Sequence, residues 1–164
     1  LYTRAWKYLY NFYENELGLT NLLWVYAPNI TPNRERNLYC YPGDEYVDIV
    51  GYDWYTEGKY EVDNDGKTHD VLASVGKPVA ITEFGPAGDI CANKEHEQTE
   101  DGYFNGRDML ALLDRLHADG RKTAYVMTWT WHWGIHSWKY ADELMANEKV
   151  ADLDRMAKLF DEMN

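Results

Sequence analysis

Four segments of the chain are largely apolar along their length, without the strict alternation of apolar and polar residues that marks a half-buried strand. They lie near residues 22–27, 47–52, 78–82 and 124–129. Strands that are apolar on both sides are buried on both faces, which is typical of a parallel sheet covered by helices. The pattern therefore predicts an α/β fold with four parallel strands.

Helical periodicity appears before the first of these strands and after each of the other three. The predicted helices cover residues 2–17, 69–75, 103–117 and 152–163. The first, second and third are followed by the stop signals Gly18, Gly76 and Gly120. The residues of the last helix that are expected to face the core are Leu153, Met156, Ala157 and Phe160. The segment DNDG, which precedes the second helix, is expected to be a loop.

Four strand and helix units are half of a (β/α)8 TIM barrel, which takes about 250 residues when complete. This chain has 164 residues and begins without methionine, inside a predicted helix. We therefore interpret residues 1–164 as a single partial domain, the C-terminal half of a barrel, with a small open sheet as the alternative. A half-barrel exposes two strand edges, so self-association of the chain is expected.

The composition narrows the choice of partners. The chain carries 16 Lys and Arg against 28 Asp and Glu, a net charge of −12. This charge argues against nucleic acid and against an anionic membrane surface, because both require basic patches. No apolar run approaches the roughly 18 residues of a transmembrane helix. With 7 Trp and 14 Tyr but only 4 Phe, the chain is rich in aromatic rings that have a polar edge.

Polar and aromatic residues collect where each predicted strand ends, in the sequences YAPN, YDWY, TEFG and TWTW. Parallel α/β folds place their ligand sites at this edge of the sheet, and Glu83 follows the third strand directly. A structural role, in which Glu83 accepts hydrogen bonds from loop amides, is the alternative at this point.

Aromatic side chains near the strand ends favour a functional role for Glu83. Tryptophan faces stack on the C–H faces of sugar rings, and indole N–H and phenol O–H groups reach the sugar hydroxyls, so a carboxylate among such rings indicates carbohydrate. Ordinary core packing is the simpler explanation for Trp6 and Trp24. The aromatic residues proposed to surround Glu83 are Trp54, Tyr55, Trp129, Trp131, Trp133, His136, Trp138 and Tyr140.

The segments NLLWVYAPN, YVDIVGYDWY, KPVAITEFG and AYVMTW, in this order and spacing, resemble strands five to eight of glycoside hydrolase family 26. The usual activity of that family is endo-β-1,4-mannanase. The resemblance implies a retaining glycosidase that uses no cofactor and no metal. It implies that Glu83 is the catalytic nucleophile and that Tyr55 donates a hydrogen bond to it. By the same resemblance Asp53 is a supporting residue, and Trp129 forms part of the floor under the sugar.

Two features depart from the family pattern. The tryptophan that ends strand eight is often followed by arginine in the family, whereas Thr130 follows Trp129 here, so the choice between Trp129 and Trp131 stays open. The family's acid/base residue lies in a His-Glu pair at the end of strand four, which would precede residue 1. The pair His96-Glu97 lies in a polar run instead of at a strand end, which leaves Asp53 as the internal alternative.

Other motifs in the chain are incomplete. The segment EVDNDGKTHDVL begins like a calcium loop but has Leu72 where the loop requires a glutamate, so a loop turn is expected. His132 and His136 lack a third ligand, and zinc is not predicted. Cys40 and Cys91 could pair, but two cysteines define neither a disulfide framework nor a metal site.

The expected partner is a β-linked polysaccharide or oligosaccharide, with mannan as the first choice and another β-glucan or a β-xylan as alternatives. A carbohydrate-binding half-barrel without catalysis, or a pseudo-enzyme, is the rival function. An endo-acting enzyme that degrades a polymer is exported, so a secreted or periplasmic location is expected.

Overall fold

The computed structural model describes residues 1–31, 33–56, 63–86, 106–130 and 133–163. In this part of the chain four strands form one sheet in the order β1-β2-β3-β4, and each neighbouring pair is parallel. The strands are β1 (Val25–Tyr26), β2 (Ile49–Thr56), β3 (Val79–Pro86) and β4 (Val126–Thr128). The predicted α/β fold is confirmed, and the strand order is that of four consecutive units of a (β/α)8 barrel.

Six α-helices connect and cover these strands within the described residues. They are α1 (Tyr2–Asn11), α2 (Arg34–Asn37), α3 (Asp63–Ala73), α4 (Gly106–Ala118), α5 (Ala141–Ala146) and α6 (Leu153–Met163). A π-helical turn, Phe12–Glu16, extends α1, and 3-10 turns occur at Asp44–Tyr46 and Ile135–Ser137. The helices α2 and α5 were not predicted, since four and six residues are too few to show helical periodicity.

The predicted start of α3 is wrong by six residues. The helix begins at Asp63, so the DNDG segment is helical and forms neither the predicted loop nor a calcium loop. Acidic residues are favoured in the first turn of a helix by the helix dipole. Thr68, His69 and Leu72 are buried on the same helix, and this packing outweighs the cost of about 1 kcal/mol that Gly66 brings to a helix interior.

One face of the sheet, called the core face below, packs against the helices. In β2 it carries Val50, Tyr52 and Trp54, each at most 2 % exposed. The Trp54 ring meets the edge of the Phe84 ring from β3, with the ring centroids 5.5 Å apart. The buried cluster also contains residues of β3, α3 and α4, namely Val79, Ile81, Leu72, Met109, Leu112 and Leu116.

Aromatic contacts attach α1 to Trp24, the residue directly before β1. The rings of Trp6 and Trp24 lie 5.8 Å apart, and Tyr10 lies 5.2 Å from Trp24. The indole N–H of Trp6 donates to the carbonyl of Tyr46 at 3.0 Å, and that of Trp24 donates to Glu14 at 2.9 Å. Core packing was the predicted role of both tryptophans, and it is confirmed for Trp6, which packs against the core cluster. Trp24 is half-buried and packs on α1 instead.

Buried polar groups connect the helices to the loops around them. The Thr68 hydroxyl donates to the carbonyl of Thr31 at 3.2 Å and accepts from the Asn37 amide at 3.4 Å. The His69 Nε2 atom lies 3.1 Å from the carbonyl of Lys122. Burial lowers the pKa of His69, which favours the neutral ring with its Nε2–H donating to that carbonyl.

Two predictions of burial are wrong. Residues 22–27 were expected to form a fully buried strand, but β1 is only Val25–Tyr26, and Leu22 and Leu23 before it are 39 % and 70 % exposed. The apolar stripe of α6 was expected to face the core, but Leu153 is 89 % exposed and Phe160 58 %. Helical periodicity identifies an apolar stripe but does not determine what covers it.

Among the described helices, none has the length and apolar content that crossing a membrane demands.

We expect Leu72→Ala to lower the free energy of unfolding of the chain by about 2–5 kcal/mol, because Leu72 is fully buried between α3 and the sheet. Leu153→Ala is the matched control, and it should change the stability by less than about 0.5 kcal/mol because its side chain is exposed. Urea unfolding measures both values. Equal losses in the two variants would contradict this position of the core.

Candidate active site

Strands β2 and β3 bring two carboxylates to the face of the sheet opposite the core face. Asp53 and Tyr55 are two positions apart on β2 and therefore share this face, called the polar face below. The Tyr55 hydroxyl donates to Glu83 Oε2 at 2.8 Å. The Thr82 hydroxyl donates to Asp53 Oδ1 at 2.9 Å. The contact between Tyr55 and Glu83 that the resemblance implied is present.

A register shift between β2 and β3 turns Glu83 toward the polar face. Tyr52 pairs with Ile81, but the next residue of β2, Asp53, pairs with Glu83. Thr82 is thus an extra residue in β3, which is the definition of a β-bulge. In a regular strand Glu83 would follow Ile81 onto the core face, since side chains alternate between faces.

Glycine at position 85 leaves room for two aromatic rings. Gly85 pairs with Tyr55, and a Cβ atom at Gly85 would lie 3.1 Å from Tyr55 Cε1 and 2.9 Å from Trp133 Cδ1. The rings of Tyr55 and Trp133 meet edge to face, with centroids 6.5 Å apart. Trp133 therefore covers the tyrosine that contacts Glu83.

The backbone at the end of β1 adjoins Asp53. The Asp53 N–H donates to the carbonyl of Pro28 at 3.1 Å, and the Ile30 N–H donates to the carbonyl of Asp53 at 3.0 Å. An isolated parallel bridge joins Asn29 to Asp53. These bonds connect the site to the carboxyl end of β1, so it lies at the edge of the sheet where parallel α/β folds bind ligands.

Three effects act on the pKa of the Asp53 carboxyl. Burial raises its pKa above the ordinary value, the hydrogen bond from Thr82 lowers the pKa, and the nearby charge of Glu83 raises it. Net, the pKa of Asp53 is raised. The hydrogen bond from Thr82 is thus the contribution that favours the ionised form.

Four of the tryptophans named from the sequence have three different outcomes. Trp129 directly follows β4 and is 52 % exposed, at the carboxyl end of the sheet. Trp54 and Trp138 are buried on the core face and so do not lie beside Trp129. The ring centroids of Trp138 and Phe84 are 6.0 Å apart. Trp131 lies outside the described residues, so the choice between Trp129 and Trp131 stays a prediction.

The structure bears on metal binding and on Cys40, but not on Cys91 or the His96-Glu97 pair. In the part of the chain that it describes, no group of three His, Cys, Asp or Glu could hold a metal ion. Among the described residues Cys40 forms no disulfide. Cys91 and the pair His96-Glu97 lie outside the described residues, and the predictions about them stand as predictions.

Sequence reasoning missed two residues of the site. It placed Thr82 at the end of the predicted strand near residues 78–82 without a role, and it left Gly85 outside that strand. A signal for both was present, because a threonine directly before a strand-end glutamate and a glycine two residues after it interrupt the strand pattern. What these residues contact depends on β2, which lies about 30 positions earlier in the chain.

Residues 1–107 match the profile of glycosyl hydrolase family 26. The chain belongs to this family. The match includes β1, β2 and β3, and with them Asp53, Tyr55 and Glu83.

The chain is also similar to curated proteins and to solved structures. A mannan endo-1,4-beta-mannosidase of Bacillus subtilis is 33% identical over 133 residues, which is 81% of this chain and 31% of that protein. Endoglucanase H of Acetivibrio thermocellus is 33% identical over 110 residues, 60% of this chain and 12% of that protein. The solved structure of a Bacillus subtilis mannanase has a TM-score of 0.65 and 30% identity, covering 88% of this chain and 36% of that one. The chain thus spans about a third of the length of the Bacillus subtilis proteins it matches.

We expect Gly85→Ala to displace the rings of Tyr55 and Trp133, because the added Cβ atom would lie 2.9 Å from Trp133. The near-ultraviolet circular dichroism of tryptophan should change, and the free energy of unfolding should fall by about 1–3 kcal/mol.

Gly76→Ala is the control for this variant. Its backbone angle φ of +76° makes alanine strained, at a cost of about 1–2 kcal/mol, but nothing lies within 4 Å of the added atom. It should destabilise the chain and leave the tryptophan signal unchanged. An unchanged signal in Gly85→Ala would contradict the packing described above.

Proposed function

We propose that this chain is part of a retaining endo-β-1,4-mannanase and carries its catalytic nucleophile, Glu83. The observation that carries the proposal is the 2.8 Å hydrogen bond from Tyr55, which holds Glu83 on the polar face at the carboxyl end of a parallel sheet. Family membership and the similarity to a Bacillus subtilis mannan endo-1,4-beta-mannosidase support it.

Retaining hydrolysis assigns a specific task to such a carboxylate. A nucleophilic carboxylate attacks the anomeric carbon, and a second carboxyl about 5–5.5 Å away protonates the leaving oxygen and later activates water. The bond from Tyr55 to Oε2 restricts rotation of the Glu83 carboxylate. In this proposal Oε1 attacks, and the hydrogen bond keeps the group in the orientation for attack, which is a form of pre-organisation.

The acid/base carboxyl is proposed to lie outside these 164 residues. The chain spans about a third of the Bacillus subtilis relatives, so most of such a protein is not represented here. Asp53 is engaged with Thr82 and pairs with Glu83 in the sheet, which suits a supporting residue.

Mannan is the proposed substrate, bound in part by Trp129. The exposed indole at the end of β4 can stack on a sugar ring, the usual way in which tryptophan contacts carbohydrate. Another β-glucan is the alternative substrate, since Endoglucanase H is among the relatives.

A polymer is too large to enter a cell, so the enzyme is proposed to be exported. Self-association of the isolated chain through the outer edges of β1 and β4 is also proposed.

Glu83→Gln tests the nucleophile in the full protein that contains this chain. The amide keeps the size of the side chain but cannot form the glycosyl ester, so kcat on β-1,4-mannan should fall by about a thousandfold or more. Glu162→Gln, on the exposed surface of α6, is the matched control and should keep full activity.

The outcomes of this test separate the proposed enzyme from its rival. A Glu83→Gln variant whose activity stays within a few-fold of the wild type would mean that Glu83 is not the nucleophile. A wild-type protein that quenches its tryptophan fluorescence on binding mannooligosaccharide, yet releases no reducing ends, would instead be the carbohydrate-binding module.

Tyr55→Phe removes the hydroxyl and keeps the ring that packs on Trp133. We expect kcat to fall at least about tenfold with a smaller change in KM, because the hydrogen bond orients the reacting group. Tyr41→Phe is the control, since it also removes a hydrogen bond to a carboxylate, that of Asp44, at 3.0 Å on the exposed surface. Equal kinetic effects in both variants would argue against the orienting role of Tyr55.

A further inference from the structure

Two consecutive residues of β3 contact the same face of β2. Thr82 bonds to Asp53 and Glu83 bonds to Tyr55, although consecutive side chains of a regular strand point to opposite faces. Asp53 and Tyr55 are two positions apart and share one face. The chain therefore aims both Thr82 and Glu83 at the polar face, and this requires the bulge between them.

The flanking residues show that the bulge is local. Ile81 and Phe84 are both buried in the core cluster, although they are three positions apart. The β3–β4 pairing is irregular over the same interval, where Ile81 pairs with Val126 and Phe84 with Thr128. After Glu83 the regular pairing of β3 with β2 resumes, and Phe84 points to the core face. Two residues, Thr82 and Glu83, thus occupy the space that a regular strand gives to one polar-face residue.

Glycine at position 51 makes room for Thr82. A Cβ atom at Gly51 would lie 2.5 Å from Thr82 Cγ2 and 3.2 Å from Thr82 Oγ1. The Thr82 side chain therefore rests over Gly51 while its hydroxyl reaches Asp53, two positions further along β2. The missing side chain at Gly51 and the hydrogen bond to Asp53 together fix one position for the threonine.

We propose that Thr82 is a positioning residue that acts through Asp53, by holding the Asp53 carboxylate ionised and oriented beside Glu83. This inference rests on the proposed function of Glu83. The transition state of glycoside hydrolysis resembles an oxocarbenium ion and carries positive charge. A second fixed negative charge next to the nucleophile stabilises that charge without reorganising during the reaction.

The surroundings of Asp53 explain why it needs a donor. Burial and the charge of Glu83 both favour its neutral form, and the Thr82 hydroxyl opposes them. Among the described residues, the titratable groups facing Asp53 are Glu83 on β3 and, bonded to Glu83, Tyr55 on β2, while the segment after β1 presents the backbone of residues 28–30. Loss of the hydroxyl therefore raises the pKa of Asp53, and a higher pH is needed to ionise it.

The test compares Thr82→Val, which is similar in shape but lacks the hydroxyl, with Thr82→Ser, which keeps it. In the full protein, Thr82→Val should lower kcat/KM on β-mannan about tenfold near neutral pH and move the acid limb of the pH profile to higher pH. Thr82→Ser should stay within a few-fold of the wild type with its acid limb in place. A residue with a structural role alone would lower the activity at all pH values and leave the limb where it was.

Carbon-13 NMR of the carboxyl groups measures the titration of Asp53 directly, without an activity assay. The midpoint of Asp53 should move to higher pH in Thr82→Val and stay in place in Thr82→Ser. In the Asp53→Asn background, Thr82→Val should change kcat/KM less than twofold, because the group it acts on is gone.

Should Thr82→Val not fold, Gly51→Ala provides the same comparison, since its added Cβ atom must displace Thr82. An Asp53 midpoint that is unchanged in the variant lacking the Thr82 contact overturns this inference. A wild-type protein without glycosidase activity overturns the proposed function instead.

Discussion

Glu83 reaches the polar face of the sheet because β3 carries one more residue than β2 between two paired positions. Ile81 pairs with Tyr52 and Glu83 with Asp53, so Thr82 has no partner of its own in the ladder. The hydrogen bond from Tyr55 to Glu83 follows from this shift, which brings Glu83 to the face where Thr82 already bonds to Asp53. With regular pairing the carboxylate would enter the apolar core, where its charge would be strongly disfavoured.

The two faces of this sheet differ in their side chains and in their roles. The core face is nearly continuous in its apolar packing, from Tyr52 and Trp54 to Phe84 and the helices α3 and α4, and it supplies the stability. The polar face contains two glycines, Gly51 and Gly85, whose missing side chains admit Thr82 and the rings of Tyr55 and Trp133. Rigid packing on one face thus allows closely spaced polar groups on the other, as a pre-organised site requires.

The aromatic residues show why composition alone is an incomplete guide to a sugar site. Trp54 and Trp129 both follow the apolar part of a strand in the sequence, yet Trp54 is 2 % exposed and Trp129 52 %. Trp54 lies within β2 on the core face, against the ring of Phe84, whereas Trp129 lies beyond the end of β4. The same limit applies to α6, whose periodicity predicted an apolar stripe correctly while its burial was wrong.

Local patterns in the sequence were enough to place four parallel strands, most of the helices, and the motif in which Glu83 and Tyr55 are found. Strand type and helix type depend on the period of apolar residues within about ten neighbouring positions, which a single sequence displays. The tertiary structure decided the bulge at Thr82, the separation of Trp54 from Trp129, the room left by Gly51 and Gly85, and the early start of α3. These features depend on register and burial, which arise between residues that are far apart in the chain.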